Sequence, residues 1–313
     1  MNRQHRILGA FVLAGVWFSI LCLTGGCDGQ EGSPSSQVTQ PRILAVQADP
    51  PVVVLGQDSA LRPLLVGLDP SESVTWQFRV CDPWRIIADP TADCGPDDSL
   101  PLEGASFENS AGAWLRTASV LAAFPPPPWY QPGSSDGPQE GTGEPTLPGD
   151  AEPECAMPYE FVEVVVVAEA LIAAPDGTGE TRLLATKRVR VTVEPVVRRN
   201  PIIENLTLDG DLNPATFTPG APYVLIAAPR QDSLDVVCNS DGVGVMERVR
   251  VYLYTDAGQL EDRSVRVSYT PEGEETAGST VWTAPDQGGA TLWLVGIDRD
   301  GGIGWLQVNL SAR

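Results

Sequence analysis

The sequence predicts an all-β chain built from two tandem antiparallel β-sandwiches. Three observations carry that reading. Short runs rich in Val, Ile, Thr and aromatics follow one another, separated by Pro, Gly and Asp. No segment sustains the 3.6-residue apolar period of an amphipathic helix. The chain has 29 Pro and 31 Gly among its 313 residues, as many turns require.

In chain order, strands are expected over Arg42–Ala48, Val52–Leu55, Ala60–Val66 and Val74–Val80. Two long ones follow, over Tyr159–Ile172 and Thr181–Val193, the latter ending in a strict alternation from Lys187 to Val193. A second series runs over Ile202–Leu208, Tyr223–Ala227, Leu234–Val237, Arg248–Thr255, Ser264–Tyr269, Thr280–Thr283, Thr291–Ile297 and Ile303–Leu310. Glu194-Pro195 to Asn200-Pro201 separates the series, giving sandwiches over 41–197 and 198–313. Both open alike, with Ile43–Asp49 then Gly56 and with Ile203–Asp209 then Gly220. Residues 125–155, rich in Pro, Gly and Glu, read as a disordered loop inserted in the first sandwich. A domain boundary within 131–154 is the alternative, because structureless loops of that length are uncommon. The final hairpin turns at Asp298–Gly302. A symmetric turn places Val295 opposite Trp305 and puts Trp293, Val295, Ile297, Ile303 and Trp305 on one face, with Leu292, Leu294, Leu306, Val308 and Leu310 on the other. An apolar outer face of that size must be covered.

Composition excludes several functions. The net charge is −21, and acids outnumber bases by 41 to 20, which disfavours nucleic acid. The single His is His5, so no imidazole is expected in the folded body for acid–base work or zinc. Lys187 is the only lysine. Loop carboxylates, Asp298 and Asp300 foremost, are calcium candidates, although no stretch matches a twelve-residue calcium loop. No cofactor is otherwise expected. A pair of carboxylates acting as a hydrolase without His is a rival reading. Aromatic and basic residues offer binding-surface candidates: Trp84, Trp129, Tyr130 and Trp305, and one strand face with Arg248, Arg250, Tyr252 and Tyr254.

The N-terminus carries Arg3 and Arg6, then an apolar run from Ile7 to Leu23, then Thr24-Gly25-Gly26-Cys27. This resembles a bacterial lipoprotein signal peptide over residues 1–26, with Thr24 where Leu usually stands. The resemblance implies export, lipidation of Cys27 and a cell-envelope location facing the periplasm or cell surface. Which membrane holds it is open. An uncleaved transmembrane helix is the alternative. Residues 27–40 read as a flexible tether. Exported cysteines favour disulfides. Cys81 with Cys94 is the favoured pair, leaving Cys155 and Cys238 to pair across the boundary or stay free.

Gly278–Pro285, Gly289, Leu292–Val295 and Asp298–Gly302 resemble the last strands of bacterial Ig-like and PKD-like domains. Pro50-Pro51, Gly56, Leu61 and Leu65 resemble the entry into another. The resemblance covers about 41–80 and 202–313 and implies an Ig-like sandwich used for adhesion, binding or structure. Trp76 precedes Cys81, so the antibody-type disulfide core is not expected. Together these readings point to a membrane-anchored, non-catalytic envelope protein that contacts envelope proteins or polysaccharide. A calcium-stiffened adhesin is the alternative.

Overall fold

The computed structural model describes residues 36–88, 94–107, 110–126, 161–175, 177, 179–238, 244–269 and 275–313. Cys27, Trp129, Tyr130, Cys155 and the side chain of Cys238 lie outside the described residues, as does nearly all of the inserted loop. The described elements belong to one compact unit, residues 32–313.

Two sandwiches form, as expected. The first packs a sheet of Arg42–Asp49, Asp58–Val66, Ser110–Arg116 and Gly104–Phe107, in that order, on a sheet of Val52–Val54, Glu180–Thr192, Phe161–Ala173, Ser73–Cys81 and Ser99–Pro101. Val46, Leu61, Phe78, Val80, Leu115, Val166 and Val189 fill its core. The second packs Asp211–Leu212, Ile203–Leu208, Pro222–Pro229, Ser279–Thr283 and Gln259–Leu260 on Thr216–Phe217, Ile303–Ala312, Gly289–Ile297, Val249–Thr255, Ser264–Tyr269 and Glu275–Ala277. Trp282, fully buried edge-to-face with Phe217, anchors its core with Leu206, Leu225, Leu253, Leu292 and Leu294. A small hairpin, Val236–Cys238 with Gly244–Met246, stands apart. Among the described strands the pairing is antiparallel except at two sheet edges, where Val52–Val54 and Thr216–Phe217 join their neighbours in parallel; Gln37 adds an isolated parallel bridge to Thr255. Gly56 and Gly220, at matching places in the two halves, both take positive φ, the backbone that glycine accepts without strain.

The structure corrects several local expectations. Two short helices, Pro83–Ala88 and Thr117–Ala123, occur where none was expected. The Asp82 carboxylate accepts the Trp84 N–H at 2.9 Å and holds the start of the first. Strand Ser110–Arg116 escapes a β-branched criterion because its sequence is Ser-Ala-Gly-Ala-Trp-Leu-Arg. Gly112 is needed there: a Cβ would stand 2.1 Å from the Leu61 carbonyl oxygen. The tether ends before residue 40. Val38 is buried, its N–H donates to the Thr255 carbonyl at 2.7 Å, and Thr255 donates to Ser36 at 2.9 Å. An apolar side chain in contact with a hydrophobic cluster gains more than a solvated tether retains.

Cys81 and Cys94 form a disulfide. It closes a short loop behind the outer face of Phe161–Ala173, against Val165 and Val167. In the chain-entropy account a loop of that size contributes about 3 kcal/mol.

Candidate functional site at the junction of the sandwiches

The terminal hairpin organises the site. Its register sets Val295 opposite Trp305 and Ile297 opposite Ile303, so the two faces separate as the alternation predicts. Leu292, Leu294, Leu306, Val308 and Leu310 enter the second core. Trp293, Val295, Ile297, Ile303 and Trp305 turn outward and meet the first sandwich, on Leu44, Ala45, Leu64 and Val66, with Val38 and Tyr252 and Tyr254 beside them. A register shift between Ile43 and Ala45 places both Leu44 and Ala45 on this outer face, while Val46 and Ala48 stay in the first core.

The connecting segment crosses the same hairpin. Gly296 and Gly304 oppose one another there. A Cβ on Gly304 would stand 1.6 Å from the Pro201 carbonyl oxygen, and one on Gly296 would stand 2.6 Å from Ile203 Cδ1. Two side-chain-free positions therefore let Pro201–Ile203 lie on the sheet. Asn200 bridges the halves: its Nδ2 donates to the Ala48 carbonyl at 2.9 Å, and its Oδ1 accepts the Ile303 N–H at 2.8 Å. Gln47 Nε2 donates to the Ile303 carbonyl from the first sandwich.

Beside this apolar contact lies a buried charge cluster. Strand Glu180–Thr192 is paired by Val52–Val54 only over Arg190–Thr192, and the hairpin turn 298–302 meets the edge that precedes it. Lys187 is buried there and donates through Nζ to the Gly301 carbonyl. Arg190 and Arg198 both pair with Asp300, Arg198 at 2.9 Å. Asp298, also buried, accepts the Gly302 N–H at 2.7 Å. Glu247 is buried on the second sandwich, where one carboxylate oxygen accepts the Asp235 N–H at 2.9 Å. Burial, opposed by attraction to Asp298, pulls the Lys187 ammonium down to about 8. Burial first, and repulsion among the acids, raises Asp298 to about 6 and Glu247 to about 8.

The candidates read from sequence fall as follows. Asp298 and Asp300, the calcium candidates, have their carboxylates engaged by backbone N–H and by two guanidinium groups, and among the described residues no group of three or more acids, His or Cys is placed to hold a metal ion. Tyr252 and Tyr254 are half-buried against the first sandwich, with Arg42 over the Tyr254 ring, so that strand face is not open. Only Arg248 and Arg250 of that set are exposed. Trp305 is half-buried in the junction. Trp84 is buried, donating Nε1 to the Phe124 carbonyl at 2.8 Å. It walls an apolar cavity of about 140 Å³ with Leu55, Leu115, Val120, Phe161 and Val193. The ring therefore closes the end of the sandwich and presents no open stacking face.

Residue-by-residue reading missed Arg190, Arg198, Asn200 and Glu247. One signal was available for Lys187: it shares strand parity with Val189 and Val191, both buried.

No family model matches the chain, and no curated protein matches it. Among solved structures it is similar to red sea bream transglutaminase, at 6% identity and TM-score 0.24, over 88% of this chain and 32% of that one. It is similar to the fibronectin(III)-like modules of Clostridium thermocellum CbhA, at 11% identity and TM-score 0.22, over 86% of this chain and 95% of that one. It is similar to the Yersinia pseudotuberculosis adhesin InvE, at 12% identity and TM-score 0.21, over 91% of this chain and 61% of that one. At these scores none of the three carries an argument about function.

Proposed function

We propose that the chain is a lipoprotein held in the cell envelope through Cys27, whose two sandwiches act as one stiff, non-catalytic body with a binding, adhesion or structural role. The observation that carries this reading is the junction. Two Ig-like sandwiches on a free linker would flex, as domains joined by small polar interfaces do by default. Here a buried tryptophan, a glycine-bedded linker, an asparagine bridge and an ion cluster hold them together. Stiffness serves a spacer or adhesion module, which must hold its contact surface at a set distance from the membrane. Ion pairs between Asp300 and two arginines add to this hold, and the reading calls for no calcium. The acids at the junction are engaged by cations and backbone or buried, which fits a structural use better than hydrolysis. Its partners on this reading are envelope proteins or polysaccharide, met through the exposed faces, with no nucleic acid.

The anchoring half is tested by fractionating cells that express the wild type and Cys27→Ala. The wild type is expected in the membrane fraction with an acylated N-terminal Cys27, and the variant is expected unprocessed and without acyl groups. A wild-type protein that keeps Met1 and carries no acyl chain would replace this reading with the uncleaved helix.

A further inference from the structure

Among the described acids of the junction, Glu247 has neither an ion pair nor a cation among its charged neighbours. Asp300 has Arg190 and Arg198; Asp298 has Lys187; Asp235 has Arg199, whose backbone N–H also donates to it at 3.1 Å. Arg190 also lies 4.0 Å from Glu163, and Arg199 reaches the Asp232 carbonyl, so neither is turned to Glu247. Among the described residues no basic group lies within ion-pair distance of Glu247. Its Oε2 is buried without a hydrogen-bond partner, and its charged neighbours are Asp235, Asp298 and Asp300. A buried carboxylate with three acids as neighbours and no cation is the costliest state this site can hold. A proton removes that cost, and it also makes Oε2 or Oε1 a donor.

We propose that the junction is a proton-held clamp: a proton on Glu247 keeps the linker and the terminal hairpin closed against the first sandwich, and its release loosens that contact. The proposal rests on the junction being a closed body and is independent of the anchor at Cys27.

The shifts agree in sign. Glu247 and Asp298 are both raised in the folded chain, so between their ordinary values near 4 and their folded values of about 8 and 6 the folded form holds protons that the open form has released. Stability from these groups is complete below their ordinary values and is lost as pH rises. Lys187, lowered to about 8, acts in the opposite direction from about a unit below that pH upward. Glu169, held below its ordinary range chiefly by its hydrogen bond from Arg182, acts only at more acid pH.

The test is amide hydrogen exchange on the mature protein in detergent. Peptides covering 198–205 and 298–305 are followed from pH 5.5 to 8, with rates corrected for intrinsic pH dependence. Between pH 6.5 and 7.5 the opening constant is expected to rise by up to tenfold per pH unit in the wild type, and to change little over the same interval in Glu247→Gln. A flat wild-type profile, or a variant that keeps the wild-type slope, overturns the proposal. Should the variant fail to fold, carbon-13 titration of the wild-type glutamate carboxyls decides. One resonance titrating above pH 7 supports the clamp, and a set that all titrates below pH 7 overturns it. Failure of the anchor would leave all of these readings unchanged.

Discussion

Gly304→Ala is expected to open the junction. The added methyl would stand 1.6 Å from the Pro201 carbonyl oxygen and 2.9 Å from its carbon. Both are backbone atoms, so no side chain can rotate away. The neighbouring Gly296 gives no relief, since its own Cβ position is filled by Ile203. Pro201 must lift, and lifting it strains the Asn200 bridge to Ala48 and Ile303. Overpacking of a well-packed site costs roughly 1–3 kcal/mol, occasionally more, and this contact belongs at the top of that range. Urea unfolding of the chain from residue 28 should show the loss. Limited proteolysis should cut the variant at Arg198 or Arg199, where the wild type resists. A variant as stable and as resistant as the wild type would mean that the linker does not lie on the hairpin.

Trp293→Ala is expected to cost about 3–5 kcal/mol, as large buried aromatics do. Trp293 is only 6% exposed and sits in the cluster that joins the two sandwiches. Its Nε1 is buried without a partner, which offsets part of the gain from its packing and places the cost toward the lower end of that range. Trp293→Phe should accordingly cost less than the alanine change, because it removes the unpaired N–H and leaves a much smaller void. Trp305→Ala should cost less than Trp293→Ala, because Trp305 is only half-buried. Denaturant midpoints give the order directly. Equal and small losses for both tryptophans would place the Trp face in solvent.

Much of the fold was legible because burial writes itself into strand parity. The terminal hairpin shows this best. Its sequence is apolar on both faces, and the structure covers both, one with its own core and one with the neighbouring sandwich. The alternation from Lys187 to Val193 likewise fixed a long strand. What escaped was structure that rests on close approach and not on bulk. Ser110–Arg116 looks like a loop until Leu61 and Phe107 are seen to require Gly112. The helix at Pro83–Ala88 is too short for a period to register. The candidate site was less legible than the fold. Asp298 and Asp300 drew notice as turn acids, yet their partners come from residues 187, 190 and 198, a hundred positions away. Glu247 looked like one acid among 41, and only the fold shows that it is buried beside other acids. The Arg/Tyr face was visible as an alternating strand face, but the covering sandwich could not be read from that strand alone.

The central claim is that the two sandwiches are one body, and calorimetry of the chain from residue 28 at pH 6 tests it most directly. A single transition is predicted, with calorimetric and van't Hoff enthalpies in a ratio of about one, because the junction couples the two cores. Two separable transitions, with one sandwich melting while the other persists, would contradict it.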